Sequence, residues 1–121
     1  MTIQEHLAWN AINDDNLSFL KAIGVDYVTI NPPPSDLKDG NDRAEFWKGL
    51  QKQVESYGMK LNNVGVNCWD EITLGAPDCD QKIEAWCMMI RNLGGAGIAT
   101  LGYNFKPIGN FRTTATIGRG G

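Results

Sequence analysis

The stretch of sequence that indicates the fold is DCDQKIEAWCMMIRNLGGAGIATLGY, residues 78–103. Asp78 and Gln81 form a pair that can satisfy the free N–H groups in the first turn of a helix. Five apolar residues then follow helical spacing before Gly94-Gly95 ends the run: Ile83, Trp86, Cys87, Ile90 and Leu93. The stretch therefore predicts a helix that buries these five residues, followed by a strand over residues 98–103.

Two earlier segments repeat this pattern of polar cap, amphipathic run and glycine. The first predicted helix begins near Asn13 or Asp14, ends at Gly24 and buries Leu17, Leu20 and Ile23. The second begins at Asp42, with Glu45 completing a capping box, ends at Gly58 and carries Phe46, Leu50, Val54 and Tyr57 along one side. We therefore expect three helices of similar construction.

Short β-prone segments flank the helices, over residues 6–9, 25–30, 61–66 and 98–103, so the predicted order is β-α-β-α-β-α-β. Strands that alternate with helices pair in parallel, because a parallel neighbour requires a long crossover connection. The pattern fits either a doubly wound open α/β sheet or the N-terminal half of a (β/α)8 barrel. A dinucleotide-binding loop would need glycines between a strand and a helix, whereas Gly94, Gly95 and Gly97 follow a helix.

Length and composition limit the class of protein. The 121 residues suffice for one domain, but a whole barrel needs roughly 250 residues. If the fold is a barrel, residues 1–121 form only part of it and are truncated after strand four. The net charge of −3 and the scattered basic residues argue against binding to nucleic acid or to a membrane surface. Without a signal-peptide pattern, and with three cysteines that lack C-x-x-C spacing, the sequence predicts a cytoplasmic protein with free thiols.

Ligands of parallel α/β folds bind beyond the carboxyl ends of the strands, where the loops converge. Amide, phenol, indole and guanidinium groups in these loops suit a ligand rich in hydroxyl and carboxylate groups. The candidate substrate-binding residues are Trp9, Asn31, Asn67, Tyr103, Asn104, Arg112 and Arg119. Structural roles are the alternatives: Trp9 as part of the core, Asn31 as a turn residue before three prolines, and the two arginines as solvated charges.

Four segments of the last third resemble one family: DQKIE at 80–84, RNLGGAGI at 91–98, YNFKP at 103–107 and FRT at 111–113. They are similar to D-mannonate dehydratase and its relatives among the xylose isomerase-like barrels. Trp9 with Asn13-Asp14, and GVDYVT at 24–29, also resemble the opening of that family. The resemblance covers nearly the whole chain and is strongest after Leu74.

The resemblance implies a (β/α)8 hydro-lyase that dehydrates D-mannonate to 2-keto-3-deoxygluconate in hexuronate catabolism. It also implies Mn²⁺ or Fe²⁺ held by His, Cys and Asp side chains of the second half of the barrel, with no metal ligand in this chain. The substrate would be a sugar acid, bound in part by Tyr103, Asn104, Arg112 and Arg119, and the protein is expected to be a homo-oligomer. The 121-residue chain alone is expected to be inactive.

Two departures from the family pattern leave alternatives open. A Glu and His pair that one branch of the family carries after strands two and three is replaced here by NPPP at 31–34 and VGVN at 64–67. The chain also stops at Gly121 without a further helix. A metal-dependent sugar isomerase or epimerase is one alternative. The other is a non-catalytic half-barrel that self-associates through the open edges of strands one and four.

Overall fold

The computed structural model describes residues 1–32 and 37–106. Its four strands are β1 (Gln4–Ala8), β2 (Tyr27–Asn31), β3 (Lys60–Asn67) and β4 (Thr100–Asn104). They form one sheet in the order β1-β2-β3-β4, and every neighbouring pair is parallel. The predicted parallel arrangement is therefore confirmed.

The helices are α1 (Asp14–Ala22), α2 (Ala44–Ser56), α3 (Asp70–Thr73) and α4 (Cys79–Gly95), with single 3-10 turns at Trp9–Ala11 and Leu37–Asp39. The short α3 was not predicted. No helix in the described ranges combines the length and apolar character that crossing a membrane requires.

The hydrophobic core lies on one face of the sheet, between the strands and the helices. It includes Leu17 of α1, Trp47 of α2, Met89 of α4 and, from the strands, Val28, Ile30, Leu61, Val64 and Val66. Parallel strands in consecutive order, joined by crossovers of one hand, place all their helices on the same side. A doubly wound sheet would reverse its order and carry helices on both faces. The described strands therefore have the arrangement of a half-barrel.

Both ends of α1 agree with the sequence prediction, but one of its predicted buried residues does not. Asn13 caps the helix, its side-chain oxygen accepting from Asn16 N–H at 2.9 Å. Leu17 and Leu20 are buried, but Ile23 is 55% exposed, so its predicted burial is wrong. The reason is that Gly24, with φ +87°, turns the chain at that point, and Val25 is the residue that enters the core.

The predicted capping box of α2 is also wrong. Asp42 Oδ1 accepts from Ala44 N–H at 2.9 Å. The Glu45 carboxylate, however, pairs with Lys48 Nζ at 2.8 Å instead of accepting from a main-chain N–H group at the start of the helix. The buried Asn92 of α4 replaces it: in the amide orientation that satisfies both groups, its oxygen accepts from Arg43 N–H and its nitrogen donates to Asp42 Oδ1, each at 2.9 Å. A tertiary contact therefore holds this helix end.

The buried face of α2 is centred on Trp47, Gln51 and Val54, while the predicted Phe46, Leu50 and Tyr57 lie half-buried beside it. Gln51 Oε1 accepts from Leu61 N–H at 2.9 Å. Because Lys60 N–H donates to Asp26 O towards β2, the next N–H points to the other side of β3. On that side β4 begins to pair only at Asn63, so the Gln51 side chain supplies the missing acceptor.

The helix predicted over 78–95 is confirmed as α4, but its buried face differs from the predicted one. Asp78 precedes the helix without a side-chain cap hydrogen bond, so the predicted pair with Gln81 does not form. The buried residues of α4 are Ala85, Met89, Asn92 and Leu93. Ile83 and Ile90 are 41% and 45% exposed. The helix is apolar on two adjacent sides, and it packs against the sheet and α2 with the side that holds Asn92.

Candidate functional site

Three consecutive strands end in asparagine at the same edge of the sheet: β2 at Asn31, β3 at Asn67 and β4 at Asn104. Asn67 and Asn104 are direct partners in the β3–β4 register. Thr29 pairs with Asn63, and side chains return to the same face every second residue, so Asn31 and Asn67 also share a face. This face is opposite to the helix layer. The structure therefore places three predicted site residues on the same face of the sheet, at the carboxyl ends of neighbouring strands.

A cleft of about 480 Å³ opens at this edge. Its lining residues come from the ends of β2 and β3 and the loops that follow: Asn31, Pro32, Leu37, Lys38, Gly65, Val66, Asn67, Cys68, Trp69 and Asp70. Gly65 leaves room for the Asn31 side chain, since a Cβ atom there would lie 3.3 Å from Asn31 Oδ1. The cleft thus offers amide donors and acceptors at a site where a small polar ligand fits.

Charged groups form one wall of the cleft. Lys38 Nζ donates to both carboxylate oxygens of Glu71, at 2.7 and 2.9 Å. The Lys38 ammonium beside it holds the pKa of the Glu71 carboxyl below its usual range. The same ammonium lies 5.8 Å from the centre of the Trp69 ring. Asp70 also lines the cleft and is exposed, so the cleft presents both a cation and an anion.

Cys68 follows the end of β3 and contacts both the sheet and α3. Its N–H donates to Asn104 O at 3.0 Å, and its Sγ accepts from Thr73 Oγ1 at 3.2 Å. The three cysteines, Cys68, Cys79 and Cys87, carry free thiols as predicted. Cys68 therefore ties the end of β3 to the end of β4.

Tyr103 lies apart from the asparagines. It pairs with the buried Val66 and so projects from the helix-facing side of the sheet. Its ring lies edge-on to Trp86, with 6.5 Å between the ring centres, and is 63% exposed. It borders a separate apolar groove of about 370 Å³ between α4 and β4, lined by Cys68, Ile72, Ile83, Trp86, Ile90, Leu101, Tyr103 and Phe105. The predicted neighbours Tyr103 and Asn104 thus lie on opposite faces, and substrate binding by Tyr103 stays a prediction.

The remaining candidates have different outcomes. Trp9 follows β1 in a 3-10 turn and packs half-buried against the hydrophobic core. His6, which we expected at the start of a strand, lies in the middle of β1 opposite Thr29. Arg112 and Arg119 lie outside the described residues.

Metal-binding groups do not converge in the described part of the chain. Within residues 1–32 and 37–106, no three His, Cys, Asp or Glu side chains come close enough together to hold a metal ion. Cys68, Asp70 and Glu71 are neighbours in sequence, but Glu71 is turned towards Lys38. The described residues therefore do not fit the Mn²⁺ or Fe²⁺ that the resemblance implies.

Lys38, Trp69 and Glu71 were not identified as a group from the sequence. The candidate predicted after β2 was Asn31, and Lys38 meets Glu71 across 33 positions of sequence. A basic residue in the loop after a predicted strand was the available signal. Its carboxylate partner could not be inferred without the tertiary fold.

Comparison with known proteins gives one consistent result. A family model described as D-mannonate dehydratase (UxuA) matches residues 24–120. The mannonate dehydratase of Thermotoga maritima is 39% identical over 66 residues, which cover 54% of this chain and 18% of the relative. That of Brachyspira hyodysenteriae is 37% identical over 67 residues, which cover 54% of this chain and 19% of the relative.

A solved structure extends the similarity to the fold. The mannonate dehydratase from Streptococcus suis serotype 2 superposes with a TM-score of 0.75 and 27% sequence identity, and the match covers 93% of this chain and 32% of that chain. The chain thus spans about a third of the solved relative and less of the curated ones. The match agrees with the predicted half of a (β/α)8 barrel. With the family model matching most of its residues, the chain belongs to the D-mannonate dehydratase family, of which it represents the N-terminal portion.

Proposed function

We propose that the chain supplies the N-terminal part of a lyase that dehydrates D-mannonate to 2-keto-3-deoxygluconate. The observation that carries the proposal is that the family model matches residues 24–120, the same part of the chain that builds the asparagine-lined cleft. In this proposal the described residues of the cleft bind and orient the sugar acid, and none of them is assigned the proton transfer or the removal of the hydroxyl.

The asparagines are suited to that role. An amide has two N–H donors and an acceptor oxygen, so it can bind a sugar hydroxyl in either direction. Asn31 and Asn67 line the cleft, and Asn104 adjoins Asn67 across the β3–β4 pair. Because all three stand at the ends of paired strands, their positions are fixed by the main-chain hydrogen bonds of the sheet.

A divalent cation, Mn²⁺ or Fe²⁺ in this proposal, would stabilise the negative charge that develops when the C2 proton is removed. The described residues offer no cluster that fits it, so we assign none of them a step that involves the metal. Its ligands would lie outside the described residues.

A chimera tests the proposal. The chain would replace the aligned part of the Streptococcus suis enzyme, and the product formed from D-mannonate with added Mn²⁺ would be followed by NMR. We expect 2-keto-3-deoxygluconate from the chimera and none from the 121-residue chain alone. A folded chimera that leaves mannonate unchanged, or that isomerises sugars instead of removing water, would overturn the proposal.

A pair of variants links the activity to the cleft. Asn67→Ala in the chimera should raise the KM for mannonate by up to about tenfold, the value of one lost hydrogen bond. Asn41→Ala is the control, because the Asn41 side chain donates to Asp39 and does not line the cleft. Equal KM values for the two variants would show that the Asn67 side chain does not contribute to substrate binding.

A further inference from the structure

Lys38 is the cationic side chain among the described residues that line the cleft. A sugar acid differs from a sugar or a polyol by its carboxylate, and a carboxylate that leaves water needs a cation or several N–H donors. The other charge in the lining is the carboxylate of Asp70, which can accept hydrogen bonds from hydroxyl groups but repels a second carboxylate. The lining thus combines one cation, one anion and two amides, which suits a ligand with one carboxylate and several hydroxyl groups.

The position of the Lys38 ammonium is fixed by its neighbours. Of its three N–H donors, two point to the carboxylate oxygens of Glu71 at 2.7 and 2.9 Å. Trp69, 6% exposed and held edge-on against Trp86 with 5.0 Å between ring centres, forms a rigid apolar surface beside it. An ammonium held in this way loses little further freedom when it binds a ligand.

The main chain of Lys38 is also held in place. Lys82 Nζ donates to Lys38 O at 3.1 Å, which ties the 3-10 turn at Leu37–Asp39 to α4. The positive charge of Lys82 also lowers the pKa of Glu71, after the larger effect of Lys38. Lys82 is itself paired with Asp78, its Nζ lying 3.8 Å from Asp78 Oδ2, so Lys38 is the cation of the described cleft lining and Glu71 is its ion-pair partner.

We infer that Lys38 is the residue that selects a sugar acid over a neutral sugar, by receiving the ligand carboxylate in the cleft, and that Glu71 positions its ammonium. The inference rests on the function proposed above, because it assumes that the cleft is the substrate site. It assigns carboxylate recognition to a residue of the described cleft, in addition to the role predicted for Arg112 and Arg119.

The test is an NMR titration of the ¹⁵N-labelled 121-residue chain with D-mannonate, with D-gluconate and with the neutral polyol D-mannitol. We expect both acids to bind more tightly than mannitol, with their binding weakened by added NaCl. Lys38→Gln should raise the Kd of both acids about tenfold or more, as expected for the loss of a charged partner. It should leave mannitol binding unchanged.

Two further variants separate recognition from folding. Glu71→Gln keeps a side-chain oxygen that can accept from the Lys38 ammonium and so hold its position, but it removes the competing negative charge, so the acids should bind at least as tightly as to the unaltered chain. If Lys38 and Glu71 only hold the fold together, both variants should lose affinity alike. Lys48→Gln is the matched control, since Lys48 forms a similar pair with Glu45 at 2.8 Å on α2, outside the cleft lining.

The outcomes distinguish the inference from the proposed function. Acid binding that is unchanged in Lys38→Gln, that shows no preference over mannitol, or that is absent altogether overturns the inference, even if the chimera dehydrates mannonate. Binding of gluconate but not mannonate, lost in Lys38→Gln, supports the inference and contradicts mannonate as the substrate. Should Lys38→Gln fail to fold, the Glu71→Gln titration and the NaCl dependence of the unaltered chain decide the question.

Discussion

Gln51 should contribute strongly to stability even though it is a polar residue in the core. Its side chain is 5% exposed, and its oxygen accepts from the N–H of Leu61, a residue with no exposed surface. Gln51→Leu keeps most of the volume but leaves that N–H without an acceptor. An unsatisfied buried donor costs about 1–3 kcal/mol. With an unfolding entropy of roughly 0.25 kcal/mol/K for a chain of this length, a loss of about 2 kcal/mol lowers Tm by about 8 °C.

Urea unfolding followed by circular dichroism would measure the free energy of unfolding, and hydrogen exchange would measure the protection of the Leu61 amide. We expect lower stability together with faster exchange at Leu61. Gln53→Leu is the control, because it makes the same change at a half-buried position two residues further along α2. If Gln51→Leu were as stable as the unaltered chain, or if the Leu61 amide kept its full protection, the role assigned to Gln51 would be refuted.

Three further predictions concern the helix layer, the cleft and the dependence on pH. Met89 is 2% exposed and Ile90 is 45% exposed, so Met89→Ala should lower the free energy of unfolding by about 2–5 kcal/mol and Ile90→Ala by far less. Urea unfolding that ranks the two variants in reverse would contradict the observed buried face of α4. Gly65→Ala should weaken mannonate binding in the NMR titration, because the added Cβ would lie 3.3 Å from Asn31 Oδ1. Gly102→Ala is the control: its added Cβ makes contacts of 3.5 Å or more, so this variant should bind mannonate normally. Equal Kd values for the two variants would count against a role for Asn31 in binding. Lys38 lowers the pKa of the Glu71 carboxyl. The ionised Glu71 should therefore stabilise the fold fully above its unfolded-state pKa of about 4.3, and this stabilisation should disappear as the pH falls through its lower folded-state pKa. The stability difference between Glu71→Gln and the unaltered chain should therefore be larger at pH 7 than at pH 3, and a constant difference would refute the link.

The order of helices and strands along the chain was predictable from sequence because it depends on local pattern. Caps and glycines such as Asn13, Gly24 and Gly58 mark helix ends wherever they occur, and both glycines have the expected positive φ. Once helices alternate with strands, parallel pairing follows from the length of the connections. The carboxyl edge of the sheet, and with it Asn31, Asn67 and Asn104, could then be located without coordinates.

The features that sequence missed depend on partners far along the chain. Apolar residues occupy two sides of α4, so periodicity alone could not choose between Met89 and Ile90 as the buried residue. The choice is linked to Asn92, a polar residue that is buried because it binds the start of α2. Lys38 and Glu71 likewise form their ion pair only because the fold makes the ends of β2 and β3 adjacent. Local patterns therefore located the candidate cleft, and tertiary contacts determined which charged side chains lie beside it.

The face of the sheet opposite the helices explains how a polar ligand could be accommodated within a barrel. Barrel interiors are usually filled by branched apolar side chains, but this face carries Gln4, Thr29 and Asn63, together with Gly65 and Gly102. Gln4 Nε2 donates to Thr29 Oγ1, and Asn63 Oδ1 accepts from Gly102 N–H at 3.1 Å. Because each of these three side chains already makes one hydrogen bond within the sheet, further strands that enclose the face would leave fewer polar atoms to satisfy. The two glycines add no side chain next to the asparagines, so the space beside Asn31 and Asn67 stays available for a ligand.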